Sequence, residues 1–468
     1  MVYLFTAIPF LAAFLAAVMV IGWVGFTISR PAVPALLLLA VLVAFTGSTY
    51  GQLDVERTIY SRGTGMFYFS IINYFLWGTG LVVALRNTFE RVRPEATPLA
   101  KYFAAFTLLI IANAFVAAGS DDRSLHVIDA LSYSGLLNII NMAVFFYVIV
   151  NVFSSPGEAR KLIRFLLIAI AIRGIFGMVR WALFGGDTAN IYENVERTGT
   201  KLTFFDINDG FLATLASFCS AWLLSYRKQL LSNREQLALW ALMLLETAII
   251  VLSFRRSSLV GMGLASILFV VLLPARQRLG AIVLSGSVLA GSVALLTALR
   301  LNKVRGADAN RGFLFDILSD GKRAESGSRT LEFTETWRSL GDYWLFGKGM
   351  WGTMQSNLAE LSYHAGNFGF VHSGFGHILL KGGLFGLFMF IGLLTSFTLY
   401  YVQARRVLSG DWQMLADAGA AGVTFWLPTL LIGTPIIEFR SMMMLGLALA
   451  LPFLAMRAAA SEKHHAAT

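Results

Sequence analysis

The sequence predicts an all-α polytopic membrane protein with 12 or 13 transmembrane helices and one large external loop. Of its 468 residues, 57% are hydrophobic and only 14% are charged, whereas soluble domains carry about 25% charged residues. The mean hydropathy is +0.68. The apolar residues form runs of about 20 residues, the length that a helix needs to cross a bilayer, and a transmembrane strand would need only about ten alternating residues.

Thirteen apolar runs follow one another along the chain, and the second is short enough to be re-entrant instead of spanning. We therefore expect one membrane domain over residues 1–468, with a polar loop at about 300–371 and amphipathic helices within that loop. The runs lie at about 3–28, 32–47, 66–85, 102–118, 138–153, 162–184, 209–225, 237–253, 258–274, 280–299, 372–402, 414–436 and 441–458.

The net charge of +10 does not form one patch of the kind that binds nucleic acid. Lys and Arg instead concentrate in alternate gaps between the apolar runs, such as the gaps that contain Arg160 and Arg405, which predicts that these gaps are cytoplasmic. The loop at 300–371 falls on the opposite side. The single cysteine, Cys219, excludes a disulfide framework and a thiolate metal site.

Within the loop, the segment RTLEFTETWRSLGDYW predicts an amphipathic helix. Leu331, Thr334, Trp337 and Leu340 recur at helical spacing, and we expect them to form the face that lies against the membrane domain or its interface. The segment LFGKGMWG that follows predicts a turn.

His372 stands where the loop ends and the next apolar run begins, and it is the candidate general base. The alternative is a helix-end histidine that only bonds a carbonyl group. His377 lies about 140° further round the same helix. Two histidines without nearby carboxylate or cysteine ligands make a weak metal site, so we predict no metal.

Several arginines on the external side are candidate ligands for a phosphate or pyrophosphate, because a guanidinium group matches phosphate oxygens. Arginine within a span is expensive and usually faces a polar cavity or a partner, although one near a helix end can also extend to the interface. The candidates are Arg173, Arg180, Arg255, Arg256 and Arg329.

The external carboxylates show no pair with convincing acid/base spacing, and Glu438 with Arg440 is interpreted as a local ion pair. The sequence also contains no phosphate-binding Gly-rich loop, nucleophile elbow or dinucleotide fingerprint, so we predict no nucleotide and no other cofactor. The carboxylates in question are Asp206, Asp209, Glu332, Glu335 and Glu438.

The segment VHSGFGHILLKGGLFGL resembles a motif of the O-antigen ligase and O-antigen polymerase superfamily, which are bacterial membrane glycosyltransferases of the GT-C type. His372 matches the motif histidine, and Ser373 stands where Asn is commoner. Gly383-Leu384-Phe385-Gly386 matches the terminal turn of the motif.

Three more segments resemble the superfamily in order and spacing, so that the resemblance covers roughly residues 160–440. SFRRSSLVG matches a Ser-Arg turn, and SGSRTLEFTETWRSLGDYWLFGKG matches a loop with Arg, Trp and Gly-x-Gly. ERTGTKLTFFDIND matches a stretch before a span, with Lys201 in place of an aromatic residue. The matching residues are Arg256, then Arg329, Trp337, Gly347 and Gly349, then Arg197, Gly199 and Thr200.

The resemblance implies a bacterial inner-membrane enzyme that acts on an undecaprenyl-pyrophosphate-linked glycan at the periplasmic face, with the loop at 300–371 in the periplasm. The matching arginines would hold the pyrophosphate, His372 would act on the acceptor hydroxyl, and Arg197, Trp337 and Ser373 would support the site. The acceptor would be a glycan, a lipid or a protein, in O-antigen or exopolysaccharide biosynthesis, and a chain-length regulator is a candidate partner.

We favour a polymerase of repeat units over an O-antigen ligase, although both would use the same donor and motifs. A polysaccharide flippase or transporter is a further alternative, and so is a structural membrane subunit. A transporter predicts repeated halves and discontinuous helices near the midplane, whereas polarity here concentrates in one loop.

Overall fold

The computed structural model describes residues 19, 21–45, 59–60, 68–90, 97–120, 125–184, 205–253, 255–301, 324–354, 369 and 371–467. In these ranges the backbone is organised as α-helices, which we number in chain order. They are α1 (Ile21–Ser29), α2 (Ala32–Ala44), α3 (Ile71–Phe89), α4 (Ala100–Ala118), α5 (Leu137–Val152), α6 (Pro156–Phe184), α7 (Ile207–Tyr226), α8 (Asn233–Leu252), α9 (Arg256–Leu272), α10 (Ala275–Leu301), α11 (Ala324–Leu340), α12 (Gly374–Val407), α13 (Gly410–Ile432) and α14 (Phe439–Ala467).

In the described residues a helix overlaps each of the thirteen apolar runs, which confirms the prediction of an all-α polytopic membrane protein. Among the described helices, seven are long and apolar enough to cross a bilayer. The pair α1 and α2 is bent by 101°, as expected of a broken span or a re-entrant segment, and would make an eighth. Because α5 and α9 are apolar but shorter, the number of 12 or 13 spans stays a prediction.

At one end of the bundle, helix ends from distant parts of the chain contact one another. The start of α7 bonds to the start of α14 through Asp206 and Arg440, and Arg440 also bonds the last turn of α2. A Cβ on Gly374, at the start of α12, would lie 3.2 Å from the carbonyl oxygen of Leu430 near the end of α13. We call this the His372 end.

Helices α7, α13 and α14 form the centre of the domain. Between 78% and 83% of the residues in their apolar windows are buried, against 28–33% in α4, α6 and α8. A helix that is apolar on all sides is stable only when protein or lipid surrounds it. The central helices are therefore enclosed by protein, and the outer helices present much of their apolar surface to the membrane.

Helix α12 is sharply kinked at Gly383, whose φ of 61° is in the left-handed region that favours glycine. The loop turn around Gly347, with φ of 74°, packs directly against this kink. A Cβ on Gly347 would lie 2.5 Å from the backbone nitrogen of Gly383, and a Cβ on Gly383 would lie 2.4 Å from that of Gly347. The two glycines therefore permit a backbone contact that joins the loop to α12.

Main-chain hydrogen bonds secure the same contact. The N–H groups of Leu384 and Phe385, which the kink removes from the helical pattern, donate to the carbonyl oxygens of Trp344 and Leu345, both at 2.9 Å. Lys381 is buried and donates to two further loop carbonyls, those of Met350 and Gly352, at 2.9 and 2.8 Å. The glycine-rich segments on either side of His372 thus form one structural unit.

Candidate active site

His372 lies just before α12 and contacts a carboxylate of the loop helix α11. Its Nδ1 is 3.1 Å from Oε1 of Glu332, and its backbone N–H donates to the same oxygen at 2.7 Å. The Glu332 side chain is 1% exposed, whereas 31% of the His372 side chain is exposed. The carboxylate therefore holds the imidazole from the protein side and leaves part of the ring at the surface.

Sequence reasoning did not find this pair, because Glu332 and His372 are 40 residues apart and no spacing rule joins them. The helix over Ala324–Leu340 is confirmed, but of the four residues expected on one face only Leu340 is buried, while Thr334 and Trp337 are exposed. Among residues 331–340, whose side chains the structure describes, the buried ones are Glu332, Thr336 and Leu340. Trp337 is 47% exposed and does not lie on the inward face. Glu332 and Thr336 are polar, so the hydrophobic pattern of the sequence contained no signal that marks Glu332 as buried.

The contacts of α11 explain why it can bury a carboxylate. Thr336 donates to the carbonyl oxygen of Glu332 at 2.7 Å and to Sδ of Met354 at 3.1 Å. Met354, Val371 and Leu380 form a small hydrophobic cluster beneath the helix. The contact of Thr336 with this cluster, which includes Val371, thus holds α11 beside the start of α12.

Ser373, a predicted supporting residue, caps α12. Its Oγ accepts a hydrogen bond from the backbone N–H of Gly376 at 3.2 Å, which satisfies one of the unpaired N–H groups of the first turn. His377, one turn further, is fully buried, and its Nε2 lies 3.1 Å from the carbonyl oxygen of Gly135. His377 therefore has an interior position, separate from the half-exposed His372.

Arg173 lies in a buried cluster instead of at the surface. Its Nε and Nη2 bond the carboxylate of Asp209 at 3.1 and 3.2 Å, and its Nη1 donates to the carbonyl oxygen of Ala44 at 2.8 Å. All three guanidinium nitrogens are thus engaged by the protein. Arg173 is therefore a weaker candidate for pyrophosphate binding than the sequence predicted. Its position deep within a span is explained by these protein partners.

Arg440 completes this cluster. It bonds Asp206 at 2.7 Å and Asp209 at 2.9 Å and donates to the carbonyl oxygen of Leu42 at 2.6 Å. The predicted local ion pair with Glu438 is therefore replaced by pairing across the bundle. Both arginines bond carbonyl groups at the end of α2, where a helix has unpaired acceptors and partial negative charge. Burial also raises the pKa of the nearby Tyr60 phenol, which donates to the carbonyl oxygen of Phe45.

Three of the other predicted arginines, Arg255, Arg256 and Arg329, belong to helices whose described parts lie at the His372 end. Arg255 is half-buried at the start of α9. Its backbone N–H donates to Oγ of Ser253 at 3.4 Å. Arg256 is the first residue of α9 and Arg329 lies in α11, but both side chains are outside the described residues, and so is all of Arg197. Arg180 is half-buried in the last part of α6.

The starts of α9 and α12 flank the same stretch of α13. A Cβ on Gly261 of α9 would lie 2.6 Å from the carbonyl oxygen of Phe425, and one on Gly374 of α12 would contact Leu430, five residues further along α13. The structure therefore brings the beginning of α9, with Arg255 and Arg256, and the His372–Glu332 pair to one end of the domain.

In the part of the chain that the structure describes, no three His, Cys, Asp or Glu side chains are grouped so that they could hold a metal ion. The fold and the site together define an α-helical membrane protein with a histidine–carboxylate pair at one end of its bundle, between a loop helix and a kinked span.

Residues 238–391 match the protein-family model described as O-antigen ligase. This match confirms the resemblance to the O-antigen ligase and polymerase superfamily and covers about a third of the chain, a shorter stretch than the 160–440 that the motifs indicated. It includes His372, Glu332 and three of the predicted arginines. A search of curated proteins found no match to this chain.

Proposed function

We propose that the protein is a membrane glycosyltransferase that uses an undecaprenyl-pyrophosphate-linked glycan as donor at the periplasmic face of the bacterial inner membrane. The O-antigen ligase match supports a function of the ligase or polymerase type. The observation that carries the proposal is the contact between His372 and Glu332 inside the matched segment. The His372 end of the bundle is then the periplasmic end.

In this proposal His372 is the general base. If Nδ1 carries a proton, it donates to Glu332, and the lone pair is on Nε2. Nε2 takes the proton of the acceptor hydroxyl while the hydroxyl oxygen forms a bond to the anomeric carbon of the donor. The bond between that carbon and the pyrophosphate oxygen breaks, and undecaprenyl pyrophosphate leaves with the electron pair. Glu332 fixes the orientation of the imidazole and stabilises its protonated form, as carboxylates do in other histidine-based sites.

The arginines would stabilise the negative charge of the departing pyrophosphate. Arg255 and Arg256 start α9, where the N–H groups and the helix dipole also favour an anion. Arg329 lies in α11, three residues before Glu332, and Arg180 would contribute from α6. Pyrophosphate is a good leaving group when its charge is neutralised, so in this proposal the arginines and His372 act without nucleotide or metal.

We favour a polymerase, which joins one lipid-linked repeat unit to another, and keep an O-antigen ligase as the second candidate. The two differ only in the acceptor. A polymerase would extend a lipid-linked glycan and would work with a chain-length regulator, whereas a ligase would transfer the glycan to a different lipid or to a protein. The proposed base and arginines serve both reactions equally.

The decisive experiment supplies the purified protein, in lipid nanodiscs, with lipid-linked repeat units alone and with a chelator present. A ladder of longer lipid-linked glycans is expected of a polymerase. Transfer only after addition of a second acceptor would establish the ligase instead. If chelator abolished the activity, the metal-independent mechanism would be wrong, and movement of intact donor across a liposome membrane without new glycosidic bonds would identify a transporter.

Topology offers an independent check. A reporter fused after Leu340 is expected to be active only in the periplasm, and one fused after Arg406 only in the cytoplasm, because short cytoplasmic loops are rich in Lys and Arg. A cytoplasmic signal at Leu340 would remove the site from its donor and would contradict the proposal.

A further inference from the structure

Four consecutive residues of the loop expose large apolar side chains. Tyr343, Trp344, Leu345 and Phe346 are between 41% and 63% exposed. We call residues 343–346 the aromatic turn. In water such a patch would be unfavourable, so the position of the aromatic turn relative to the membrane decides what covers it.

The aromatic turn lies beside the body of a candidate span. Its carbonyl groups bond Leu384 and Phe385 of α12, and the glycines on either side of this pair, Gly382 and Gly386, pack on Leu109 of α4. Leu109 lies nine residues before the end of α4 at Ala118, or about 13 Å along a helix. The aromatic turn is therefore level with the interior of α4 and not with its end.

A second contact also lies within the length of α4. The backbone N–H of Met350 donates to Oδ1 of Asn113 in α4 at 3.0 Å, and Asn113 is about 8 Å from the end of that helix. The 19 residues of α4 measure about 28 Å, close to the hydrocarbon thickness of a bilayer. If α4 crosses the bilayer, the chain from 343 to 350 thus enters it from the His372 end and returns.

Irregular backbone is tolerated at membrane depth only where the protein satisfies its polar groups, and several main-chain groups of the loop have such partners. The carbonyls of Trp344 and Leu345 accept from α12, and Lys348 donates its N–H to the carbonyl oxygen of Leu380 at 2.9 Å. Gly347 donates to the carbonyl oxygen of Tyr343 at 2.7 Å. The main chain of the aromatic turn faces protein while its side chains face outward.

The surroundings indicate which partner covers these side chains. The Phe346 ring contacts the Phe385 ring of α12, with centroids 5.7 Å apart. One turn further along α12, Phe388 and then Ile391 are exposed in the same way as Phe115 of α4. The patch is thus continuous with the apolar outer surface of two candidate spans, a surface that lipid covers.

We propose that the aromatic turn is a re-entrant element that inserts into the bilayer from the His372 end and is covered by lipid hydrocarbon chains. Tyr343 and Trp344 open the aromatic turn, and these side-chain types are favoured where a chain enters the bilayer. Because α11 ends at Leu340, the inserted turn also fixes the height of Glu332 above the membrane.

The test uses the scarcity of cysteine in this chain. Cys219 is the single cysteine and is buried, so a Phe346→Cys or Leu345→Cys variant can be labelled with the fluorophore NBD in the full-length protein, and unmodified protein serves as the labelling control. The matched variant is Arg338→Cys, because Arg338 is also exposed and lies in the last turn of α11. All three are reconstituted with lipids that carry a doxyl quencher on the acyl chain.

We expect the doxyl lipid to quench NBD at 345 and 346 and to leave NBD at 338 bright, while aqueous iodide gives the reverse order. Quenching at 346 by iodide as strong as at 338, without quenching by lipid, would place the aromatic turn in water and overturn the proposal. Protection from both quenchers would show a protein partner or a second copy, and would overturn it equally. The readout needs no enzymatic activity and is therefore independent of the proposed function.

Discussion

Two groups of charged side chains lie at the His372 end, and they differ in how far protein partners bury them. In the buried cluster, Arg173 and Arg440 have carboxylates and helix carbonyls as partners. In the His372–Glu332 pair, the carboxylate is buried but the imidazole is partly exposed. The first arrangement holds helices together, and the second presents a proton acceptor at a surface, although both use a carboxylate beside a cationic or potentially cationic group.

Charge within a membrane domain is therefore not by itself a sign of catalysis. An intramembrane arginine is by default a functional candidate, yet the partners of Arg173 leave no guanidinium nitrogen unused. Residues 238–391, which match the O-antigen ligase model, include His372 and Glu332, whereas Arg173, Asp209 and Arg440 lie outside them. Substitutions in the two groups should therefore fail in different ways.

The largest expected effect is that of His372→Ala, which should lower turnover by about 10²–10⁴-fold because the general base is lost. Binding of the lipid-linked donor should remain, since a missing base affects the transition state more than the ground state. Single-turnover product formation and donor binding are measured on the same nanodisc preparation. Full activity of this variant would show that His372 is only a helix-end residue.

The matching experiment in the buried cluster is Arg440→Met. Removing one partner of a buried ion pair costs about 3–5 kcal/mol, so we expect poor accumulation and a clearly lower thermal midpoint of the purified protein. Activity per folded molecule should stay close to that of wild type. If Arg440→Met were instead stable but inactive, the cluster would belong to the active site and the comparison would fail.

Arg256→Ala and Arg329→Ala should weaken donor binding as well as turnover. Each loss is expected to be about 1.5–3 kcal/mol, the range for hydrogen bonds to charged groups. Lys at either position should rescue only in part, because it keeps the charge but loses the two-pronged geometry. Titration of donor against nanodisc-bound variants gives the affinity, with Arg338→Ala, an exposed arginine of the same loop helix, as control. Unchanged affinity in both variants would exclude pyrophosphate binding by these residues.

Glu332→Gln tests how the base is held. The amide has nearly the same shape as the carboxylate but offers both a donor and an acceptor, so it permits the wrong imidazole tautomer. We expect kcat to fall by about tenfold or more, up to about 10²-fold for a misplaced base, with little change in the KM for the donor. The control is Glu335→Gln, because Glu335 lies three residues after Glu332 on the same helix and is half-buried. An equal loss in the control, or an unchanged kcat in Glu332→Gln, would contradict the positioning role.

The helices could be predicted from sequence because run length and hydropathy determine them locally. The loop helix was also predicted, but its inward face was not. The pattern assigned Trp337 to that face because large apolar residues are usually buried, whereas the structure buries Glu332, whose partner is 40 residues away. The partners of Arg173 and the contact between Gly347 and Gly383 escaped prediction for the same reason. Each depends on packing between distant segments, which a linear pattern does not contain.

The smallest expected effect concerns Ser373, which occupies a motif position where the superfamily more often has Asn. Its Oγ caps α12, and Asn caps a helix as well as Ser does. Ser373→Asn should therefore leave both the thermal midpoint and turnover nearly unchanged. Ser373→Ala should lower the free energy of unfolding by about 1 kcal/mol through loss of the cap.

These two variants also separate a structural role of Ser373 from a chemical one. If the cap is what matters, turnover by Ser373→Ala should fall only as far as its folded fraction falls, since His372 and Glu332 keep their contact. The measurement is a thermal melt paired with turnover below the melting range. A full loss of turnover in Ser373→Ala at an unchanged thermal midpoint would mean that the hydroxyl acts on the substrate, and the active site would then extend from the His372–Glu332 pair into the first turn of α12.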